Sequence, residues 1–370
     1  VAETRRALVL SPAKPSVLRV CKDVPGLDLV FQDVTSPAEL RSFESAADAF
    51  ERHGCSHVIA TSESNMLLAG RLREHYSLPG LKLGQSLAVT DKREMHHVFS
   101  PVVPMAPRWT SDMELEGGTA FSGFSEFIVK PALGSSSRGV ERHSMERLLE
   151  VISGASDDQV VEAALDVETE LHCDGVLIGG ELAAAAVSKY DRPVLEARGN
   201  TRASIHLPEE HEMSRRARLL VADILTAAPN LDGVFHIELL VVDGAMFLGE
   251  IAMRPAGGGV AEALRRHKGL DLWDAFIRAQ LGMPLPTPSL SRVSPATPWA
   301  GVLGVVPSAN LSRAEQRAFL LRQPEVVSLE ELDSGESRPK ESCSFSWHAF
   351  FQTSTESQAY SLTERISKAI

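Results

Sequence analysis

The chain reads as an α/β protein in which a small open parallel sheet leads into two units of mixed helix and sheet. Three observations predict this. Short apolar runs alternate with helical segments from residue 5 to 83, the pattern of a parallel sheet. Pro101, Pro104 and Pro107 then end the alternation as an extended linker. Beyond it, strand-like runs are punctuated by glycine-rich turns, with a hairpin signal at Asp243-Gly244. At 370 residues the chain exceeds a usual single core, so two or three subdomains are expected.

Taken in order, residues 7–10, 27–31 and 57–61 are short buried strands, and 16–24 and 37–53 have helical spacing. The second helix starts after the cap-like Ser36, with Pro37 in its first turn. The segment 84–99 reads as one helix carrying Asp91-Lys92-Arg93. After the linker come strands at 126–129, 159–162 and 170–178 and a helix at 144–152. The last unit holds a helix at 209–227, a hairpin at 233–252 and a helix at 270–280. A Pro/Ser-rich stretch at 283–298 interrupts it, and the tail from Gly301 returns to short strands with a closing helix at 361–370. No internal repeat is visible.

Composition excludes several classes. With 44% hydrophobic and 23% charged residues the chain is an ordinary globular protein. A formal net charge of -12 argues against a nucleic-acid partner, which favours a basic face. No apolar stretch approaches the roughly 20 residues of a membrane span. Val1-Ala2-Glu3-Thr4-Arg5-Arg6 leads into a strand rather than a signal peptide's apolar region. Cys21, Cys55, Cys173 and Cys343 lack metal-ligand spacing, so we expect reduced, mostly buried thiols in a cytoplasmic protein.

Three stretches carry chemistry. In Phe127-Ile-Val-Lys130-Pro131-Ala-Leu-Gly134-Ser135-Ser136-Ser137-Arg138-Gly139, a strand delivers a lysine and a Gly/Ser turn follows. Lysine offers a point charge to phosphate oxygens, and small residues let backbone N–H groups and hydroxyls close over them. The loop 134–139 is small and polar enough to act as a lid, poorly ordered until nucleotide binds. Ligands on parallel sheets gather at the carboxyl ends of strands, which puts Ser62, Glu63 and Ser64 on a substrate-facing edge, although Glu63 could equally cap the next helix.

The third stretch is the hairpin Gly233-Val-Phe-His236-Ile-Glu238-Leu-Leu-Val-Val-Asp243-Gly244-Ala-Met-Phe-Leu-Gly-Glu250-Ile-Ala252-Met-Arg254. Each strand carries one glutamate among apolar neighbours, where an unpaired carboxylate is costly. Two facing carboxylates repel unless a cation neutralises them, and magnesium, which takes oxygen ligands, suits the pair. A two-residue Asp-Gly loop pairs Glu238 with Gly249 and turns Glu250 to the other face. Convergence therefore requires a three-residue loop centred on Gly244, with Glu238 opposite Glu250 and His236 opposite Ala252. A two-residue turn would need a compensating bulge. His236 is expected as a hydrogen-bonded neighbour. Arg254, followed by Pro255-Ala256-Gly257-Gly258-Gly259, offers a planar fork to an anion, and the glycines permit close approach.

In this order, these pieces resemble the ATP-grasp superfamily from roughly residue 5 to 285. The resemblance implies an ATP-grasp fold: an N-terminal open parallel α/β domain over 1–108, a small lid subdomain over 109–190, and a large subdomain with a C-terminal extension over 191–370. It implies that Lys92 and Lys130 are the two phosphate lysines and Ser135, Ser136 and Ser137 the flexible phosphate loop. The run Val160-Val161-Glu162-Ala163-Ala164-Leu165 is similar to the adenine hinge. There Glu162 takes the adenine amino group, and backbone near Ala164 and Leu165 completes the contact. Glu170 matches the ribose-binding acid, and Glu238 and Glu250 the magnesium (or manganese) ligands.

One departure matters. Many members carry Asn where this chain has Ala252, so water or a second Glu250 oxygen must substitute. Glu250-Ile-Ala252-Met-Arg254-Pro-Ala-Gly, with Thr61-Ser62-Glu63 and Leu78-Pro79-Gly80, is similar to the branch that ligates L-amino acids into dipeptides. The resemblance thus implies ATP-dependent joining of a carboxylate to an amine through an acyl phosphate, with Arg254 as the catalytic residue. Glu63, His206, Arg254, Gly257 and Gly258 are expected at the substrates, His206 from a loop after Asn200-Thr201-Arg202. Lys189-Tyr190, near a strand end, is a candidate of the same standing as His206. A carboxylase acting on bicarbonate and a nucleotide-binding protein without catalysis are the alternatives. A homodimer is possible on this resemblance, and neither a nucleic acid nor a membrane is implied.

Overall fold

The computed structural model describes residues 5–10, 15–34, 40–110, 121–228, 231–285, 297–332 and 345–370. The N-terminal unit runs β1 (Arg5–Val9), α1 (Pro15–Lys22), β2 (Leu27–Phe31), α2 (Leu40–Arg52), β3 (His57–Ile59) and α3 (Met66–His75). Its three strands form the expected parallel sheet in the order β2-β1-β3. The expected start of the second helix at Ser36-Pro37 lies outside the described residues. The single helix expected over 84–99 is two: α4 (Leu83–Ala88) and α5 (Lys92–Phe99). Asp91 breaks it, because its side chain accepts from the Arg93 N–H and caps a new helix. That break sets Lys92 at the first position of α5.

The second unit is a four-stranded antiparallel sheet of β4 (Arg108–Trp109), β5 (Glu126–Pro131), β6 (Glu141–Ser144) and, after helix α6 (Leu148–Gly154), β7 (Gln159–Ala163). Its order is β4-β7-β5-β6, over a core that includes Phe121, Phe127, Leu148 and Val161. The helix expected from 144 begins later because Ser144 still belongs to β6, whose charged residues hid it as a strand.

The third unit contains β8 (Thr169–Ile178), β9 (Glu181–Tyr190), β10 (Arg202–His206), α7 (Glu212–Ala227), β11 (Gly233–Val242), β12 (Ala245–Ala252), α8 (Val260–Lys268) and α9 (Leu272–Gln280). It continues through β13 (Trp299–Val305), α10 (Arg313–Leu321), β14 (Val326–Glu331), β15 (Trp347–Thr353) and α11 (Glu356–Ala369). Eight antiparallel strands run in the order β12-β11-β8-β9-β10-β13-β15-β14. Strands β8 and β9, which fall inside the 109–190 span expected for the lid, hydrogen-bond into this sheet. Strand β9 was hidden by its run of four alanines, which are poor strand formers.

Two features lock the units around a cleft. Helix α9 binds the N-terminal unit: Arg19 pairs with Asp271 at 2.8 Å, and the Ala60 N–H donates to Gln280 Oε1 at 2.8 Å. The proline linker is shared between the sheets, since Leu248 N–H donates to Pro104 O and Ala163 N–H to Pro107 O. Among the described cysteines, Cys21, Cys55 and Cys173 are free and buried, and burial pushes the Cys21 thiol up to about 11. Cys343 lies outside the described residues. No described helix is long and apolar enough to cross a membrane.

Candidate active site

The acid-bearing hairpin corrects one expectation and keeps its consequence. Val242 pairs with Ala245 across a two-residue turn, with Asp243 at φ 48° and Gly244 at φ 72°. Simple counting would then set Glu238 against Gly249. The register instead shifts between Glu238 and Leu239: Leu239 faces Leu248, Glu238 faces Glu250, and Gly249 is the extra residue. A β-carbon on Gly249 would sit 3.3 Å from Glu238 O and from Leu240 Cγ, so a glycine suits the bulge. His236 lies opposite Ala252 as expected.

Three cations approach this pair from three elements. Lys92, almost fully buried on α5, sets Nζ 3.0 Å from Glu250 Oε1 and donates to Gly134 O at 2.8 Å. Burial alone would depress the Lys92 ammonium, but Glu250 and Glu63 outweigh it and raise its pKa. Lys130 on β5 lies 2.6 Å from Glu162 Oε2, while Arg108 holds the other Glu162 oxygen. Burial would raise the Glu162 carboxyl, yet these two cations hold it at about 2. Arg254 forks onto Glu63, with Nε 3.1 Å from Oε2, and donates from its other arm to Pro255 O. Burial raises the Glu63 carboxyl even against Arg254.

Two chambers meet at the carboxylates. One lies between the two antiparallel sheets and is lined by Lys92, Arg108, Lys130, Ser135, Glu162, Glu170, Glu238 and Glu250. Glu170 accepts from Val194 N–H at 2.7 Å, and burial together with nearby Glu238 pushes its carboxyl up to about 8. The other, about 290 Å³, opens towards the parallel sheet. Thr61, Ser62, Glu63, Ser136, Tyr190, Arg202, His236, Ala252, Arg254, Gly257, Gly258 and Trp273 line it. Ser135, Ser137, Glu238 and Glu250 border both. Ser136 and Ser137 have φ of 62° and 55°, a left-handed conformation that non-glycine residues rarely hold outside functional loops.

The structure therefore gathers Lys92, Lys130, Ser135–Ser137, Glu162, Glu170, Glu238, Glu250, Glu63, Arg254, Gly257 and Gly258 at one cleft. His206 is a correction. It lies within strand β10, not a loop, is fully buried, and bonds Ser188 Oγ at 2.8 Å from Nδ1, away from either chamber lining. The hinge residues have partners within the protein. Both Glu162 oxygens are held by cations, and the Ala164 N–H donates to Glu126 O at 3.0 Å; neither Ala164 nor Leu165 lines the chambers. Tyr190 faces the cleft, whereas Lys189 points away to Glu356 and the Tyr360 ring. Sequence reading passed over Arg108, Arg202, Trp273 and Asp174. Asp174 had a legible signal: Glu170, His172 and Asp174 stand two apart along one strand, so all three share one face and need partners there.

The donor set suits a hard divalent cation. Two carboxylates stand opposite each other on neighbouring strands, and both border the two chambers.

No protein-family model matches the chain. It is 26% identical over 234 residues to an L-arginine-specific L-amino acid ligase of Bacillus subtilis, an alignment covering 60% of this chain. The chain spans 56% of that relative's length. A solved L-amino acid ligase from Bacillus licheniformis superimposes with a TM-score of 0.74 at 15% identity, covering 99% of this chain and 97% of the other. An N5-carboxyaminoimidazole synthetase from Staphylococcus aureus, complexed with ADP, gives 0.73 at 14% identity, covering 99% and 97%. A carboxyaminoimidazole ribonucleotide synthase from Aspergillus clavatus, complexed with ATP, gives 0.72 at 15%, covering 98% and 99%. The chain has the ATP-grasp fold, and its sequence likeness is to an L-amino acid ligase.

Proposed function

We propose that the protein is an ATP-dependent carboxylate–amine ligase that joins an amino acid or related carboxylate to an amine, releasing ADP and phosphate. The observation that carries this is the gathering of Lys92, Lys130 and Arg254 at a cleft whose two chambers meet at a pair of facing carboxylates. One chamber takes ATP and the other the acid and the amine. Glu238 and Glu250 would hold magnesium, which supplies charge neutralisation at the transferring phosphoryl group. Manganese suits the same oxygens.

The chain's own residues then divide the work. Lys130, anchored by Glu162, and Lys92 offset phosphate charge, so an incoming carboxylate meets less repulsion when its oxygen attacks the γ-phosphorus. An acyl phosphate forms as ADP leaves. The amine nitrogen attacks the acyl carbon, loses a proton, and phosphate departs with the carboxylate oxygen. Arg254 sits in the acceptor chamber with its fork fixed by Glu63, placed to hold the acyl oxygens as negative charge builds on them. The Ser135–Ser137 loop borders both chambers and would exclude water from an intermediate that hydrolyses readily. Glu162 and backbone near Ala164 and Leu165 would meet adenine: an ionised carboxylate has about four acceptor sites, so Glu162 can take the adenine amino group beside its two cations.

The likeness to ADP- and ATP-bound carboxyaminoimidazole enzymes supports a second reading, activation of bicarbonate on the same fold. A phosphate-release screen over pairs of amino acids and other amines, with and without bicarbonate, separates them. Release that needs both an acid and an amine supports the ligase; release that needs bicarbonate and no added acid supports the second reading. ATP binding with no release under any pair would mark a protein that binds nucleotide without catalysis.

A further inference from the structure

Behind Glu238 the large sheet carries a chain of buried polar side chains that the proposed reaction does not use. His236 Nε2 lies 3.4 Å from Glu238 Oε1, and His236 Nδ1 lies 2.9 Å from Asp174 Oδ1. The other Asp174 oxygen meets His172 Nδ1 at 2.6 Å, and His172 Nε2 meets Ser204 Oγ at 2.8 Å. Asp174 and His172 are fully buried, and Ser204 is nearly so. Register explains the convergence: His236 pairs with Asp174, and Glu238 pairs with both His172 and Glu250, so all of them share the cleft face.

Three ligand-type atoms from His172, Asp174 and His236 lie close enough to suggest an ion of their own. Their bonding argues otherwise. The Asp174 oxygens already accept at 2.6 and 2.9 Å from the two imidazoles, so the lone pairs are directed at hydrogens and not at a common centre. An ionised carboxylate only accepts, so both Nδ1 atoms donate to Asp174, and His236 donates again from Nε2 towards Glu238. One Glu238 oxygen is thereby engaged.

We propose that Asp174 and His236 are positioning residues for the divalent-cation site: Asp174 fixes the His236 ring, and the ring holds Glu238 with one oxygen aimed at the metal. The proposal rests on the reading of Glu238 and Glu250 as metal ligands. It also accounts for a two-carboxylate site working with Ala252 opposite His236, since a pre-aimed carboxylate offsets a missing ligand. Outer partners of this kind typically change metal affinity by roughly 10- to 100-fold.

The test is Mn²⁺ binding, read from the free-ion electron paramagnetic resonance signal with a non-hydrolysable ATP analogue present. Asp174→Asn, His236→Leu and His236→Gln are compared with wild type after circular dichroism confirms the fold. Asp174→Asn and His236→Leu are expected to weaken Mn²⁺ binding by roughly 10- to 100-fold. Binding of the analogue in chelator is expected to stay within about twofold in both. His236→Gln, whose amide can still donate to Glu238, is expected to keep more affinity than His236→Leu. Mn²⁺ affinity within twofold of wild type in both folded variants overturns the proposal, as does an equal loss of metal-free nucleotide binding. A wild-type protein that binds neither Mn²⁺ nor the analogue overturns the nucleotide reading itself, a distinct failure.

Discussion

Charge is concentrated at a few residues of this cleft, and each has a separable part. Glu250→Ala removes one of two facing carboxylates and leaves Lys92 without its ion pair, so we expect turnover to fall by ~10²- to 10³-fold, the range one electrostatic group contributes. Circular dichroism should be near that of wild type, and full activity in that variant would refute the metal assignment. Arg254→Ala should depress ligation by a similar factor while changing ATP affinity little; steady-state kinetics with ATP varied checks this. The His236–Asp174 pair predicts a pH dependence. Burial would lower the His236 imidazole, but Asp174 raises it to about 10, above its usual value of about 6.5. A raised pKa stabilises the fold fully below about pH 6.5 and loses that contribution as pH rises through about 10. Asp174 is shifted down by the two histidines against burial, so its share appears above about pH 3.9 and is lost only in strong acid. Urea unfolding of metal-free protein should thus show roughly 2 kcal/mol more loss between pH 6.5 and 10 in wild type than in His236→Gln. Equal slopes would contradict the pairing. At this scale the sequence was readable where a charge stood inside an apolar strand, as at Glu238, Glu250 and Lys130. It was unreadable where function depends on burial in three dimensions: His206 and Arg202 lie on one strand, yet only Arg202 reaches the cleft.

Elements turn these residues into a site through register. The hairpin is the clearest case, because the two-residue turn alone would have separated the glutamates and the Gly249 bulge reunites them. Pairing of Glu238 with Glu250 was legible from the need for both acids to face one cation. The device that achieves it was not, since a bulge depends on local crowding rather than on hydrophobic pattern. The register makes an asymmetric prediction. Deleting Gly249 leaves Leu248 opposite Leu239 and Glu250 opposite Glu238 in a regular ladder, so Mn²⁺ binding should survive. Inserting one alanine between Gly249 and Glu250 moves Glu250 by one position and turns it from the cleft. That insertion should abolish Mn²⁺ binding in the same resonance titration, and retained affinity would contradict the register argument. Helix α5 teaches a similar lesson: periodicity over 84–99 read as continuous, while the Asp91 cap resets the helix so that Lys92 begins it.

At the scale of the whole molecule, the cleft exists because three units are tied at its rim. Helix α9 holds the parallel sheet so that Glu63 reaches Arg254, and the proline linker bonds to both β12 and β7. Alternation of strands and helices made the N-terminal sheet legible, but the sheet of β8 and β9 was not, because β8 pairs with a hairpin sixty residues away and β9 with β8 and β10. Lys92 joins the 134–139 loop to the facing carboxylates through Gly134 O and Glu250, so on the proposed reading occupancy of the cleft is coupled to the loop. Adding ATP and Mg²⁺ should slow amide hydrogen exchange in residues 134–139 while leaving β1, β2 and β3 unchanged. Unchanged exchange in the loop would contradict its role as a lid. The central claim, carboxylate activation by phosphoryl transfer, is tested most directly by isotope. Amino acids carrying ¹⁸O in their carboxylates are incubated with ATP, Mg²⁺ and the protein, and the released phosphate is analysed by mass spectrometry. The account predicts one ¹⁸O per phosphate, with ADP as the nucleotide product. Unlabelled phosphate, or ¹⁸O appearing in AMP, would contradict it.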